Sequence, residues 1–219
     1  MLTTVEAINA RCSTPRLAEP GPTGAELRSL FRAAAAAPDH GKCKPWRFVV
    51  VPPAYADDFG EVLEQAYVRR CALAGDDVDA ERCARERTRL RRAPTFVVVV
   101  CQPRTDLKIP LHEQQAAVAA ATQNLLLAAT SMGYGSMWAT GAAATDPTVR
   151  EALQLGPKDT IVGFVYLGSL PTSRERRGPR RDTDVSAVVR TWAPAPKGRP
   201  DPAPATASKA RSDRRMSGI

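Results

Sequence analysis

Histidine, aromatic residues and long apolar runs are scarce in this chain, and each shortage removes a class of protein. The 219 residues hold two histidines, His40 and His112, and 5% aromatics. Five cysteines (Cys12, Cys43, Cys71, Cys83 and Cys101) stand at long, irregular gaps with no CxxC. Zinc sites need four suitably spaced soft ligands, so no metal site is expected. An odd cysteine count fits free thiols in a reducing compartment, and a cytoplasmic location is expected. No stretch approaches the roughly 18–20 apolar residues that span a bilayer. The first eleven residues include Glu6 and Asn9 and lack a continuous apolar core, so no secretory signal is expected. GxxxxGK[ST], HExxH and GxSxG are also missing. Gly133-x-Gly135 lacks a third glycine, and it leaves a helix to enter a strand, the reverse of the dinucleotide-binding order. A Cys12 or Cys43 nucleophile with His40 as base stays open on the sequence, but nothing points to a third group.

What is present reads as one globular body with a tail. Hydrophobic residues at 43% and charged residues at 25% are ordinary for a soluble domain, and the length suffices for a sizeable core. The net charge of +8 suggests nucleic acid until it is located. Between Leu170 and Ile219, twelve Lys/Arg face five Asp/Glu, so residues 1–169 carry only +1. A trailing basic segment gives weak, salt-sensitive adhesion to polyanions, not specific nucleic-acid recognition. Residues 193–219, with five prolines and no aromatics, are expected to be disordered. Residues 170–192 form an intermediate arm: an arginine cluster at 174–181, then Val185, Val188, Val189 and Trp192 at helical spacing.

Within the body, periodicity predicts a short helix over Thr3 to Ala10 with Val5 and Ile8 three apart, and a capped helix from Thr23-Gly24 to about Ala37 with Leu27, Leu30 and Phe31 as its stripe. Arg47 to Val51 and Thr95 to Cys101 read as strands. Pro53 to Arg92 reads as two surface helices split near Gly75, the second a solvated, charged face. Leu111 to Met132 is a helix of about 33 Å, apolar or small almost all round, which suits the interior or a subunit interface. A turn at Gly133–Gly135 leads to a strand through Met137-Trp138. Asp146-Pro147 then opens a helix, and Ile161 to Ser169 is the last strand. The interleaving predicts an α/β (α+β) class with a covered sheet.

Two segments are more polar than a core requires. In Arg11-Cys12-Ser13-Thr14-Pro15-Arg16-Leu17 the guanidinium fork and the hydroxyl suit a phosphate dianion. If the segment is extended, Arg11 and Ser13 project from one side. In Ala37-Pro38-Asp39-His40-Gly41-Lys42-Cys43-Lys44-Pro45-Trp46-Arg47-Phe48 a helix-to-strand loop carries a histidine and two lysines. Such cations would stabilise negative charge on a reduced planar acceptor.

Together with IPLHEQQAAVAAA, GYGSMWATGA and DTIVGFVYLGS, these segments occur in an order that resembles the nitroreductase family of FMN enzymes, most closely its small NAD(P)H nitroreductase branch. The resemblance covers most of residues 5–169. It implies a mixed central sheet flanked by helices, an intertwined homodimer, and FMN at the subunit interface. Carried over residue by residue, it implies that Arg11 and Ser13 hold the FMN phosphate, with Cys12 contributing backbone. It implies that His40 reaches the cofactor mainly bound by the other subunit, and that Trp138, Ala139, Thr140 and Gly141 lie along the isoalloxazine. Hydride would pass from NAD(P)H to flavin N5, and then to a nitroaromatic, quinone or similar electron-poor small molecule taking the same place. The cofactor would carry the chemistry, with no protein nucleophile. Cys12 and Ala139 stand where the branch usually has arginine, as does Ala36. Lys42 and Lys44 stand where it has small or amide residues, and either lysine could balance the reduced ring's charge. Two further readings stay open: a flavin-binding scaffold that no longer turns over, and an interaction protein working through its tail.

Overall fold

The computed structural model describes residues 2–172 and 184–193. The chain divides into two units, one ending at Arg180 and one beginning at Arg181.

The first unit is a three-layer sandwich around one antiparallel sheet. Strands β1 (Trp46–Val51), β2 (Thr95–Cys101), β3 (Tyr134–Ala139) and β4 (Thr160–Ser169) lie in the order β1-β2-β4-β3, every neighbouring pair antiparallel. The parallel component of the expected mixed sheet enters through a single bridge between Ser13 and Ser136. Strand β2 is buried along its whole length, and its side chains alternate between two cores. Phe96, Val98 and Val100 face a cluster with Phe59, Leu63, Leu90, Val149 and Phe164. Val97, Val99 and Cys101 face Leu30, Val118, Leu125 and Leu126. A strand covered on both faces reads as an unbroken apolar run, which is how TFVVVVC reads.

The helices are α1 (Thr4–Ala10), α2 (Gly24–Ala35), α3 (Ala56–Ala74), α4 (Ala80–Arg87), α5 (Leu111–Ser131) and α6 (Pro147–Ala152). Thr3–Glu6 and Thr23–Glu26 form capping boxes that fix the starts of α1 and α2 by satisfying N–H groups with no intrahelical partner. Asp146 caps α6, with Pro147 in the first turn. Helices α2 and α5 cover one face of the sheet; α3, α6 and the 3-10 turn Arg89–Arg92 cover the other.

Three expectations change. Helix α3 is more than a surface helix, since Phe59, Leu63, Ala66, Tyr67 and Cys71 are buried. In α1 the buried residue is Ala7, while Val5 and Ile8 face outward. Tyr134 and Gly135 belong to β3, not to a preceding turn.

In the second unit the helical spacing expected through Trp192 contracts to one 3-10 turn, Val185–Ala187, capped by Asp184. Val185, Val188, Val189 and Trp192 are exposed there. The arginine cluster and nearly all of the Pro/Arg-rich tail lie outside the described residues.

Candidate functional site

The open edge of β3 gathers two of the three expected groups of site residues. Arg11 is the residue on which α1 ends, in extended backbone. The chain then runs beside β3: Ser13 bridges Ser136, and the Thr14 N–H donates to the Ser136 carbonyl at 3.0 Å. Cys12 and Thr14 line a cavity of about 230 Å³ with Thr130, Tyr134 and Ser136. With a side-chain period of two, Arg11 and Ser13 project to the other side. From Ser136 the strand continues through Trp138 and Ala139 to Thr140, roughly 13 Å further on. The edge therefore offers a cation and a hydroxyl at one end and backbone donors at the other.

That far end is shaped by glycine. A Cβ on Gly163, across the ladder, would stand 2.1 Å from Trp138 Nε1, so the indole lies directly over bare backbone. Gly141 has φ 113°, a conformation closed to most side chains. Among the described residues its N–H has no backbone acceptor. Trp138 Nε1 and Ser136 Oγ are buried without a partner among the described residues. Buried orphan donors are rare, and a missing ligand or water is their usual explanation. The Arg11–Ser13 donors and the Gly141 N–H fit a phosphorylated planar cofactor lying along β3, whereas the two orphans face the Cys12 cavity and Gly163.

Arg89, read from sequence as part of a solvated helix, is one of the residues that set this edge. It donates from Nη2 to the Thr140 carbonyl at 3.4 Å, from Nε to the Tyr166 hydroxyl at 3.0 Å and from Nη1 to Glu86 at 3.2 Å. Burial opposes its charge, but Tyr166 and Glu86 more than offset this and leave its pKa raised. Burial pushes the Tyr166 phenol up, with Arg89 opposing. The sequence signal for Arg89 was only its place among other arginines.

The third group lies elsewhere on the same chain. His40 opens the 3-10 turn His40–Lys42, and its Nδ1 sits 2.5 Å from Glu113 Oε2 in the first turn of α5. The cavity with Cys12 adjoins Thr130, near the far end of that helix, about 25 Å along its axis. One chain thus holds the phosphate-type residues and the imidazole apart. Glu113 was visible within the LHEQQ run but carried no signal of its own.

The His40 loop is held in an uncommon backbone. Gly41, Lys42 and Lys44 have φ of 69°, 52° and 48°. Left-handed non-glycine residues cost on the order of 1 kcal/mol each and collect at functional sites. The Asp39 carboxylate accepts the Lys44 N–H at 2.6 Å and anchors the turn, which leaves both lysine side chains exposed. Cys43 is buried, and its thiol donates to the His40 carbonyl at 3.2 Å. Burial and then the charge of Asp39 push that thiol up. A Cys43–His40 nucleophilic pair is thereby excluded, because the imidazole turns to Glu113.

The three-layer sandwich has counterparts among solved structures, and they carry the family name. The nitroreductase-like family protein from Bacillus cereus matches it with a TM-score of 0.71 at 20% identity, over 88% of this chain and 97% of its own. A Desulfovibrio desulfuricans protein solved in complex with FMN matches with a TM-score of 0.65 at 20% identity, over 89% and 99%. The pattern of the Nitroreductase family matches residues 11–169, and the chain belongs to that family. The Escherichia coli protein named "Putative NAD(P)H nitroreductase YdjA" is 37% identical over 165 residues, 75% of this chain and 87% of that one. Among the described residues no helix is long and apolar enough to cross a membrane.

Proposed function

We propose that the protein is an FMN-dependent oxidoreductase that takes reducing equivalents from NAD(P)H and delivers them to a nitroaromatic, quinone or similar electron-poor small molecule. The observation that carries this reading is the layout of the β3 edge. Arg11 and Ser13 stand at the Ser136 end, and Trp138 to Gly141 stand about four residues along. Family membership and the relatives' names support the same reading.

When bound, FMN would supply the redox chemistry, hydride transfer between the nicotinamide donor and the acceptor. The chain's own residues bind and orient. Arg11 and Ser13 hold the phosphate by charge-assisted hydrogen bonds, and Cys12 contributes backbone. Trp138, Ala139, Thr140 and Gly141 border the ring, and the free Gly141 N–H is a donor placed for its polar edge. Lys42 and Lys44 supply cations that favour a negatively charged reduced ring. His40 and these two lysines share one loop and complete the site from a second copy of the chain. The length of α5 between His40 and the Cys12 cavity favours a homodimer with two interfacial sites over a monomer.

The test is an anaerobic absorbance scan of purified protein before and after NADPH. A flavin band that bleaches, and returns when a quinone is added, is the expected result. A band that stays unbleached would favour a flavin-binding scaffold without turnover. Colourless protein that takes up no added FMN would remove the reading altogether.

A further inference from the structure

Helix α4 and the turn after it carry arginines into two adjoining recesses of about 320 and 390 Å³. Arg85 and Arg92 belong to both walls. Arg82 and Arg89 extend the cluster toward Thr140 and Gly141, and Arg16 extends it toward the Arg11–Ser13 segment. Guanidinium groups converging in one concavity repel each other, and most arginines nearby are neutralised. Arg85 pairs with Glu81 and Asp79, and Arg89 with Glu86. Arg16, Arg82 and Arg92 have no carboxylate partner among the described residues. Arg82 instead lies 4.6 Å over the Tyr67 ring, which fixes its position without cancelling its charge.

We propose that this recess binds the phosphates of the electron donor and makes the protein selective for NADPH over NADH. The inference rests on the flavin reading above. The recess opens at Thr140–Gly141, where the cofactor ring is placed, so a nicotinamide at the ring leaves its phosphates within the arginine walls. Arg92 is positioned by its own backbone, whose carbonyl accepts the Leu17 N–H at 2.7 Å. Three uncompensated cations exceed what a diphosphate needs. A further phosphate monoester, carrying about −1.5 to −2 at neutral pH, more than takes up the single charge left over. Each recess falls within the roughly 300–1,000 Å³ typical of small-molecule sites.

The experiment has two arms, each comparing wild type with Arg82→Gln, Arg92→Gln and the double variant. In the first, FMN-loaded protein is mixed anaerobically with NADPH or NADH and flavin bleaching is timed. Wild type is expected to favour NADPH by about tenfold or more. The double variant should lose most of that preference while retaining its flavin content, and Arg→Lys variants should recover part of it. In the second arm, 2′,5′-ADP is titrated into the protein by calorimetry, with no need for flavin. Binding that weakens about tenfold in the double variant, and in wild type as salt is raised, is expected. Equal use of both donors by wild type overturns the proposal, as does 2′,5′-ADP binding that is absent or indifferent to both substitutions. Loss of FMN with an unchanged NADPH preference would also overturn it, by assigning the arginines to the flavin. Failure of the flavin reading shows separately, as protein that takes up no FMN.

Discussion

His40 and Glu113 stand 73 positions apart in the chain and meet at 2.5 Å, Nδ1 to Oε2. The carboxylate places the Nδ1 proton and leaves Nε2 as the outward edge of an exposed ring. In the proposed dimer Glu113 is thus a positioning residue, holding the imidazole that the second copy would receive. Glu113→Ala should weaken FMN binding about three- to tenfold, the worth of roughly 1 kcal/mol. His40→Ala should do at least as much. Because Glu113 acts through His40, the double variant should resemble His40→Ala alone. Fluorescence titration of apoprotein with FMN measures all three, and full additivity of the two losses would refute the coupling.

Asp146 supports the loop that carries Gly141. Its carboxylate caps α6 through the Thr148 N–H at 2.9 Å and accepts from Arg70 at 2.5 Å, with its side chain 1% exposed. Asp146→Ala removes a cap, worth about 1 kcal/mol, and strands a partly buried arginine. Breaking a buried ion pair costs about 3–5 kcal/mol, and Arg70 keeps some solvent, so a total loss near 3 kcal/mol is expected. Asp146→Asn should recover the cap but not the ion pair and fall between. Urea denaturation gives both values. A loss below about 0.5 kcal/mol would show that this contact is idle.

Much of this frame was legible because burial and local chemistry agree. Val97 to Val100 are apolar on both faces of a covered sheet, and Thr23, Asp146 and Pro147 announce helix starts by satisfying orphan backbone groups. Arg11 and Ser13 stood out as a cation and a hydroxyl suited to a phosphate, Trp138 emerged only through family likeness, and the structure adds that Ser13 is pinned to Ser136. Arg89 and Glu113 were illegible for one physical reason. Each finds its partner across long sequence separations, Arg89 with Tyr166 and Glu113 with His40, and no local period encodes such a pairing. The outward-facing Val5 and Ile8 show the converse, since helical spacing identifies a stripe without saying what covers it.

The ion pair between Asp57 and Arg91 ties the segment after α4 to the first turn of α3, with both Asp57 oxygens accepting from Nη2 at 2.8 Å. Hydrogen bonding by Arg91, and secondarily its charge, holds the Asp57 carboxyl below the ordinary range. A depressed folded-state pKa adds stability above the unfolded value of about 4, and that gain disappears as pH falls through the folded value. The urea midpoint of wild type should therefore exceed that of Asp57→Asn by a constant margin at pH 6 and 5. The margin should shrink from about pH 4 downward. Both side chains are largely exposed, so the margin is small and falls with salt. A margin that grew on acidification would have the wrong sign for this contact.

Arg11→Gln separates the phosphate role from every other role at the β3 edge. The guanidinium is assigned to the dianion, whereas Trp138 to Gly141 are assigned to the ring. Removing the charge should then penalise FMN and spare riboflavin, which has the same ring without the phosphate. A lost charge-assisted hydrogen bond is worth about 1.5–3 kcal/mol, or roughly 10- to 150-fold in affinity. Wild type should bind FMN far more tightly than riboflavin, and the variant should narrow that ratio by most of this factor. Raising salt should weaken FMN binding to wild type more than to the variant, since the variant has less charge to screen. Because Arg11 ends α1 through its backbone N–H, donating to the Ala7 carbonyl at 3.0 Å, the substitution leaves the helix terminus intact. Equal losses for FMN and riboflavin would move the phosphate away from Arg11, leaving Arg16 and the neighbouring arginine recess as the next place to look.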